Sequence, residues 1–216
     1  MFTGLIEEIG KITKISNIPG GKTLHISANN ILDDLKIDDS VAVNGVCLTA
    51  TKLSGNGFWA DAVGATLEKT TLATIRENFS VNLERSVRLM DRLGGHLVQG
   101  HVNGIAKISQ INKLGDNYFL EVAIPEGLKK YVIDEGSISI DGISLTIAKL
   151  NGIKVGVSVI PHTWKSTTLC KNKIGDNVNI ETDVIAKYIE KLLLSNTDED
   201  KSKFSDDWFK KMGYLK

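Results

Sequence analysis

The sequence has little of what marks secreted, nucleic-acid-binding and membrane proteins. It has only two cysteines, Cys47 and Cys170, and no disulfide framework, which predicts a reducing, cytoplasmic location. The 26 basic and 26 acidic residues cancel, no basic cluster stands out and aromatic residues make up 6%, so no nucleic acid and no membrane is expected as a partner. The first eight residues hold two acids and no basic n-region, and no apolar run reaches membrane-spanning length, so we expect neither a signal peptide nor a membrane span.

Several catalytic signatures are also missing. There is no Gly-x-Gly-x-x-Gly stretch after a strand pattern, no phosphate-binding loop with Gly-Lys-Ser/Thr and no Gly-x-Ser-x-Gly elbow. The four histidines and two cysteines lack the spacing of zinc ligands. A nicotinamide enzyme, an NTPase and a serine hydrolase are therefore disfavoured, and neither a metal nor a cofactor is expected.

An internal repeat organises the sequence. Residues 41–49 (VAVNGVCLT) correspond to residues 138–146 (ISIDGISLT) at a shift of 97 positions. Further matches follow in order at the same shift, 66–72 with 163–169 and 81–84 with 178–181. The chain is therefore predicted to be a tandem duplication of a unit of about 95 residues.

Both halves have the pattern of short antiparallel strands. Runs of Val, Ile and Thr alternate with polar residues between glycine-containing turns, which favours small barrels or sandwiches. Asn44-Gly45 and Asp141-Gly142 are strong hairpin signals because these residues tolerate positive φ. Pro161 directly follows an apolar run, and a strand is expected to end there. The predicted fold class is all-β.

Three helical segments interrupt or follow this β pattern. Segments 66–76 and 163–170 are each expected to hold a short helix, with Thr66 and Thr163 as caps. After Asp183, apolar residues recur at helical spacing, which predicts a C-terminal helix suited to self-association. A polar linker over 195–205 and a short terminal helix or tail over 206–214 complete the chain. The expected domains are two barrels, 1–96 and 97–183, and an oligomerisation helix with a tail, 184–216.

Paired polar residues on two corresponding strands are the first candidates for chemistry. Side chains alternate along a strand, so Cys47 and Thr49 share one face, as do Ser144 and Thr146 in the second repeat. Such small hydrogen-bonding groups could hold a planar heterocycle. The alternative is ordinary strand packing, since threonine is favoured in strands.

The four histidines differ in what they indicate. His25 lies in an alternating strand and is interpreted as a surface or packing residue. His96 follows two glycines at the junction of the repeats, and a structural role is favoured for it. His101 stands where the first repeat has Leu5, and His162 stands opposite Ala65, so the second half is richer in groups that exchange protons.

These motifs together resemble the riboflavin synthase family. The match runs from Met1-Phe2-Thr3-Gly4 through both repeat motifs, Gly94-Gly95-His96, Gly100-His101-Val102 and Ile160-Pro161-His162-Thr163 to residues 178–181. The resemblance implies two six-stranded Greek-key barrels, each binding one 6,7-dimethyl-8-ribityllumazine. It implies a cofactor-free dismutation of two such molecules to riboflavin and 5-amino-6-ribitylaminouracil. It further implies a homotrimer held by C-terminal helices, with each active site between the first barrel of one subunit and the second barrel of another. An association with lumazine synthase stays open.

The resemblance also implies a set of site residues. In the first barrel the implied lumazine contacts are Gly4, Leu5, Ile6, Cys47, Leu48, Thr49, Asp61, Ala62, Val63, Gly64, Ala65 and Thr66. In the second barrel they are Gly100, His101, Val102, Ser144, Leu145, Thr146, Ile160, Pro161, His162, Thr163, Trp164 and Lys165. Phe2, Ser40, Glu135 and Asp183 match family positions near the site. The expected proton-handling set is His101, Ser144, Thr146, Cys47 and Asp183.

The chain departs from the family pattern at two places. The family often has a lysine where Glu135 precedes Gly136, so one positive contact is lost. Its first barrel commonly carries Pro-Glu-Thr where this chain has Gly64-Ala65-Thr66, which removes a carboxylate and loosens the loop.

Two other functions compete with an enzyme. Relatives of the family hold lumazine or flavin as a fluorescent antenna without turnover, but those relatives tend to lose the Cys-Leu-Thr and Ser-Leu-Thr patterns that this chain keeps. A Greek-key module that binds oligonucleotides is disfavoured by zero net charge and few aromatic residues. The sequence therefore favours the enzyme.

Overall fold

Two closed antiparallel barrels followed by one helix make up the computed structural model, which describes residues 1–195 and Lys210. The first barrel consists of β1 (Glu8–Ile18), β2 (Gly21–Ser27), β3 (Ser40–Val43), β4 (Val46–Ser54), β5 (Gly57–Val63) and β6 (Ser80–Arg85). The second consists of β7 (Gly104–Leu114), β8 (Asn117–Ala123), β9 (Ser137–Ile140), β10 (Ile143–Asn151), β11 (Lys154–Val159) and β12 (Asn177–Thr182). Around the barrels the strand order is β1-β2-β5-β4-β3-β6 and β7-β8-β11-β10-β9-β12, the same order in both. The predicted β fold with two tandem six-stranded barrels and a C-terminal helix is confirmed, and with its short helices the described chain is mostly β.

Alternation along each strand fills the two barrel interiors. In β4, Val46, Leu48 and Ala50 point into the first core, and Cys47 and Thr49 between them point outward. The long strands bend at β-bulges, which lie at corresponding positions of the two repeats, Ile12/Lys14 with Ile108/Gln110 and Ala50/Lys52 with Ile147/Lys149. A bulge lets a strand curve around a small barrel, so the repeat preserves the closure as well as the core.

The predicted hairpins at Asn44-Gly45 and Asp141-Gly142 are present. Asn44 and Asp141 both have φ of 46°, and the glycines that follow have φ of 74° and 83°. The two turns also face each other closely, because a Cβ on Gly45 would lie 2.6 Å from the Gly142 nitrogen. Glycine is therefore required here for backbone conformation and for the approach of the two barrels.

Helical segments occupy the predicted regions, but with different caps. Helix α1 spans Gly64–Lys69 and α2 spans Pro161–Ser166, and 3-10 turns follow at Thr71–Ala73 and Thr168–Lys171. The other two 3-10 turns are Asn30–Asp33 and Glu126–Tyr131. Strand β11 ends at Val159, so Pro161 follows the end of a strand as expected.

The prediction that Thr66 and Thr163 cap these helices is wrong. Both lie inside their helices, which begin two residues earlier, and their carbonyls accept the hydroxyls of Thr70 (2.6 Å) and Thr167 (2.8 Å). Thr70 is the residue that caps, since its Oγ1 accepts the Leu72 N–H at the next 3-10 turn.

The barrels contact each other through reciprocal hydrogen bonds. Asn82 of β6 donates from Nδ2 to the Asp141 carbonyl, and Asn179 of β12 donates from Nδ2 to the Asn44 carbonyl, both at 2.9 Å. The Oδ1 atoms of these asparagines accept main-chain N–H groups at the helical segment of the opposite barrel, each at 2.8 Å. Asn44, Asn82, Asp141 and Asn179 are all buried, so these hydrogen bonds satisfy polar groups that water does not reach.

The C-terminal helix α3 spans Val184–Ser195, which confirms the helix predicted after Asp183. Ile185, Ile189 and Leu192 are exposed on it. The predicted linker and terminal segment lie, apart from Ser195 and Lys210, outside the described residues. None of the helices in the described part of the chain has the length and apolar character needed to cross a membrane.

Asp141 has a carboxyl group at the position where the first repeat has the side-chain amide of Asn44. Its Oδ1 accepts the Asn179 N–H (2.8 Å), as the Oδ1 of Asn44 accepts the Asn82 N–H (2.7 Å). Burial raises the pKa of Asp141 from its usual 3.8 to about 7. Between these pH values the folded state binds more protons than the unfolded chain, so this group lowers the free energy of unfolding as the pH rises from 3.8 to about 7.

We therefore expect Asp141→Asn to stabilise the protein at neutral and alkaline pH. The amide keeps an acceptor for the Asn179 N–H without a buried charge but loses the oxygen that accepts the Asn172 side-chain N–H. The gain at pH 8 should therefore be on the order of 2 kcal/mol, with a smaller gain at pH 5. Urea unfolding at both pH values measures it. The matched variant Asn44→Asp should lose stability at pH 8. An Asp141→Asn variant with the pH dependence of the parent would show that Asp141 is not the responsible group.

Candidate functional site

Two chain segments, 1–6 and 97–102, lie side by side between the barrels. They pair as an antiparallel bridge, in which the Phe2 N–H donates to the Val98 carbonyl (2.7 Å) and the Val98 N–H donates to the Phe2 carbonyl (3.1 Å). Both side chains are fully buried in one small cluster. The segment that opens each repeat is thus tied to its counterpart.

Each segment then joins the barrel formed by the other repeat. The Ser144 N–H of β10 donates to the Gly4 carbonyl (2.8 Å), and the Cys47 N–H of β4 donates to the Gly100 carbonyl (2.9 Å). Both glycines have φ of +78°, and an added Cβ would lie 2.5 Å from Ser144 Cβ or 2.6 Å from Cys47 Cβ. Only glycine fits such an approach, so these residues fix the crossing.

This crossing corrects the assignment of residues to barrels. Gly4 to Ile6 were expected at the first barrel and Gly100 to Val102 at the second. Gly4 and Ile6 instead contact the second barrel, and Gly100 and Val102 contact the first, whereas Leu5 lines a cavity with residues of the first barrel. Ile6 packs against the core of the second barrel, and Val102 packs against the core of the first. Alignment of one repeat with the other matches equivalent segments but does not reveal which barrel each one joins.

On the first barrel, polar side chains face outward beside the crossing segment. Cys47 is half-buried, and Thr49 and His101 are exposed. Asp61, also expected at the site, is exposed on β5 and accepts the Thr23 hydroxyl at 2.5 Å. A thiol and a hydroxyl thus share the outward face of β4, and the main chain of Gly100 lies beside them.

On the second barrel, Ser144 has a partner that sequence reasoning missed. Nδ1 of His96 lies 2.7 Å from Ser144 Oγ, and the histidine side chain is buried. Burial lowers the pKa of His96 below its usual value, although the charge of Asp183 acts in the opposite direction. A neutral imidazole can orient the Ser144 hydroxyl or share its proton. The glycine pair before His96 was the available signal.

The expected proton-handling set is therefore divided between two surfaces. Cys47 lies on the first barrel surface, and Ser144 and Thr146 lie on the second. His101 follows Gly100, whose carbonyl accepts the Cys47 N–H, and Glu181 of the second barrel accepts the His101 main-chain N–H. Thr146 is exposed on the same outward face of β10 as Ser144.

Apolar side chains stand at corresponding places beside these polar groups. Val63, which precedes α1, and Ile160, which precedes α2, are 50% and 56% exposed. The remaining predicted residues of these segments are exposed or half-buried: Gly64, Ala65, Thr66, Pro161, His162, Thr163 and Lys165. Each barrel surface thus offers an apolar wall and small hydrogen-bonding groups, which suits a planar polar ring.

Some predicted contact residues have side chains directed inward. Leu48, Ala62 and Leu145 belong to the barrel cores, so only their main chain faces the outer surface. Phe2 is buried between the barrels, and Trp164 is buried with its ring stacked on Tyr118 at 4.1 Å between centroids. These residues shape the surfaces from behind.

Three other predicted residues lie at the margin. Leu5 and Ser40 line a cavity of about 510 Å³ whose wall also includes Glu84, Arg85 and Arg88. Glu135 is exposed at a turn with φ of +62°, and its N–H donates to the Ile147 carbonyl (3.0 Å). No group of three His, Cys, Asp or Glu side chains within the described ranges is placed to hold a metal ion.

Comparisons with known proteins bear on both repeats. A family profile described as the lumazine binding domain matches residues 3–86 and 99–183. The chain is 43% identical to a riboflavin synthase of Actinobacillus pleuropneumoniae, over 99% of this chain and all of that one. It is 40% identical to a riboflavin synthase of Bacillus subtilis (strain 168), over 89% of this chain and 90% of that one. A crystal structure of LumP complexed with riboflavin superposes with a TM-score of 0.79 at 26% identity, over 84% of this chain and 99% of that chain.

Substitution of a crossing glycine tests the geometry of the site. Gly100→Ala should lower the free energy of unfolding by about 2–5 kcal/mol, because it adds both backbone strain and a clash with Cys47. The control is Gly115→Ala, which also has positive φ (+61°) but open space around it, and it should cost only about 1–2 kcal/mol. Thermal and urea unfolding provide the comparison, and equal losses would refute a close approach at Gly100.

Proposed function

The chain belongs to the riboflavin synthase family of lumazine-binding proteins, and on this premise we propose that it converts two 6,7-dimethyl-8-ribityllumazine molecules into riboflavin and 5-amino-6-ribitylaminouracil. The observation that carries the proposal is identity of 40–43% to riboflavin synthases over nearly the whole chain. Both lumazine-binding repeats are matched, and each keeps an outward polar pair on the corresponding strand, β4 or β10.

The chemistry of the substrate explains why two surfaces with few reactive groups are sufficient for this reaction. The methyl group on C7 of the lumazine is acidic because its anion delocalises into the ring, so the substrate itself supplies the nucleophile once a proton is removed. The protein must hold two rings in contact, and well-oriented reactants gain several kcal/mol, up to about 7–11, from proximity alone. It must also move protons, for which His101 with Cys47 on one surface and Ser144 with His96 on the other are suitable.

A lumazine-binding or flavin-binding antenna without turnover is the second candidate. LumP shares the fold and was crystallised with 6,7-dimethyl-8-(1'-D-ribityl) lumazine and with riboflavin. Its identity to this chain is 26%, well below that of the synthases. This chain also keeps the Cys-Leu-Thr and Ser-Leu-Thr patterns. The enzyme is therefore favoured.

An assay of the purified protein with 6,7-dimethyl-8-ribityllumazine alone tests the function. Two lumazines should disappear for each riboflavin formed, without metal, nicotinamide or ATP. Bound lumazine with no flavin produced would favour the antenna. A one-to-one ratio or a strict need for a cofactor would contradict the dismutation.

His101 is the proposed proton-handling residue of the first surface. His101→Ala should lower kcat by about 10- to 1,000-fold, the scale of a lost general acid or base. His25→Ala is the control, because His25 of β2 hydrogen-bonds within its own sheet, with Nε2 at 3.0 Å from Ser54 Oγ. Full activity of the His101→Ala protein in steady-state kinetics would assign the proton transfer to water or to Ser144 and Cys47.

The assembly follows from the same family membership. We propose a homotrimer held by α3, with each active site between the first barrel of one subunit and the second barrel of another. A cytoplasmic location and an association with lumazine synthase belong to this proposal as well. Its support on this chain is the exposed apolar stripe of Ile185, Ile189 and Leu192.

A charged residue in this stripe should weaken the trimer. Each buried isoleucine contributes about 1.5–3 kcal/mol, and a symmetric assembly repeats the loss in every subunit. Ile189→Lys should therefore shift the protein towards monomers in sedimentation velocity. Leu114→Lys, the same kind of change at the exposed end of β7, should not. An Ile189→Lys protein that stays trimeric would assign the contact to the barrels.

A further inference from the structure

Two glutamates at corresponding positions are buried although they point away from the barrel cores. Glu84 lies on β6 and Glu181 on β12, and they are 4% and 3% exposed. Their partners are main-chain N–H groups. A carboxylate placed in this way satisfies several donors at once, and burial without such bonds would be costly.

Each carboxylate binds the segment that crosses to the opposite barrel. Oε1 of Glu84 accepts the Thr3 N–H (2.6 Å) and hydroxyl (2.7 Å), and its Oε2 accepts the Gly4 N–H (3.0 Å). Oε1 of Glu181 accepts the Gln99 N–H (2.7 Å), and its Oε2 accepts the Gly100 N–H (2.9 Å). Burial raises the pKa of both carboxyls, and these hydrogen bonds act to lower it.

The residues held in this way are the ones that contact the candidate binding strands. Gly4, held by Glu84 of the first barrel, accepts the Ser144 N–H of the second barrel. Gly100, held by Glu181 of the second barrel, accepts the Cys47 N–H of the first. His101 follows Gly100 directly, so its main chain is set by the same carboxylate.

We propose that Glu84 and Glu181 are positioning residues that act crosswise, each holding from one barrel the segment that completes the ring-binding surface of the other. Glu181 positions Gly100 against Cys47 and also holds the main chain of His101, and Glu84 positions Gly4 against Ser144. The catalytic consequence rests on the proposed function, but the crosswise geometry does not. Glutamine at either position keeps the size but has one acceptor oxygen, and its amide group would face a main-chain donor.

The two cysteines give a selective readout of this geometry. In protein labelled with ¹⁵N-cysteine, only the main-chain amides of Cys47 and Cys170 give NMR signals. The Cys47 amide is bonded to Gly100 across the barrels, whereas Cys170 lies in the 3-10 turn after α2, in the same barrel as Glu181. Hydrogen exchange of the Cys47 amide should be roughly tenfold or more faster in Glu181→Gln than in the parent. The Cys170 amide should exchange at the rate of the parent.

Glu84→Gln is the matched control, because it directly loosens the segment at Ser144 and reaches Cys47 only through the Phe2–Val98 bridge, so the Cys47 amide should be accelerated much less than in Glu181→Gln. Equal acceleration of Cys47 in both glutamine variants, acceleration of Cys170 together with Cys47, or an unchanged Cys47 in Glu181→Gln would overturn the proposal. The first two results indicate general loosening, and the third indicates that Glu181 does not hold the segment. Because hydrogen exchange is measured without substrate, a failure of this positioning proposal can be distinguished from a failure of the proposed function.

Kinetics then test the catalytic consequence. Glu181→Gln should lower kcat by about 10- to 100-fold, the effect of a misplaced group, and Glu181→Asp should recover part of the loss. The double variant Glu181→Gln/His101→Ala should be no slower than His101→Ala alone, because both changes remove the same contribution. Additive losses would show that Glu181 does not act through His101.

Discussion

Main-chain N–H groups buried between the two barrels need acceptors, and the rest of the structure depends on how these are supplied. Asn82 and Asn179 supply amide oxygens to the helical segments of the opposite barrels. Glu84 and Glu181 supply carboxylates to the crossing segments. Polar contacts of this kind fix one arrangement, whereas an apolar face would tolerate sliding. A fixed orientation of each surface is what a reaction between two bound rings requires.

Two barrels with the same strand order thus present different reactive side chains. The repeat alone suggested that the first barrel is poor in proton-handling groups, because His101 stands opposite Leu5. The crossing changes this distribution, since Gly100, which precedes His101, bonds to Cys47 of the first barrel, and His96 lies beside Ser144 of the second. The second surface therefore has an imidazole beside a hydroxyl, whereas the first has a thiol beside the main chain that leads into His101. Two lumazines that play different parts in one reaction are suited to two such non-identical surfaces.

Local patterns in the sequence predicted the local structure well. The Asn44-Gly45 pair marks a hairpin because the positive φ of these two residues alone sets the turn. The alternation of side chains along a strand is equally local, and it places Leu48 inside the barrel and Cys47 outside. The crossing could not be predicted, because self-alignment compares equivalent segments without reporting their contacts. The pairing of His96 with Ser144 depends on that crossing and was missed for the same reason. The cap was predicted at the wrong residue of this segment. Thr66 lies inside α1, whereas Thr70 has an extended backbone and caps the 3-10 turn that follows.

We infer that the opening segment of each repeat completes the ring-binding surface of the other repeat's barrel. A crystal structure of the protein with riboflavin bound would show which segment contacts each ring. A flavin ring against Cys47 and Thr49 should also contact His101 or Val102, and a ring against Ser144 and Thr146 should also contact Ile6. A flavin held on Cys47 and Thr49 with Ile6 of the same chain beside it would rule out this arrangement.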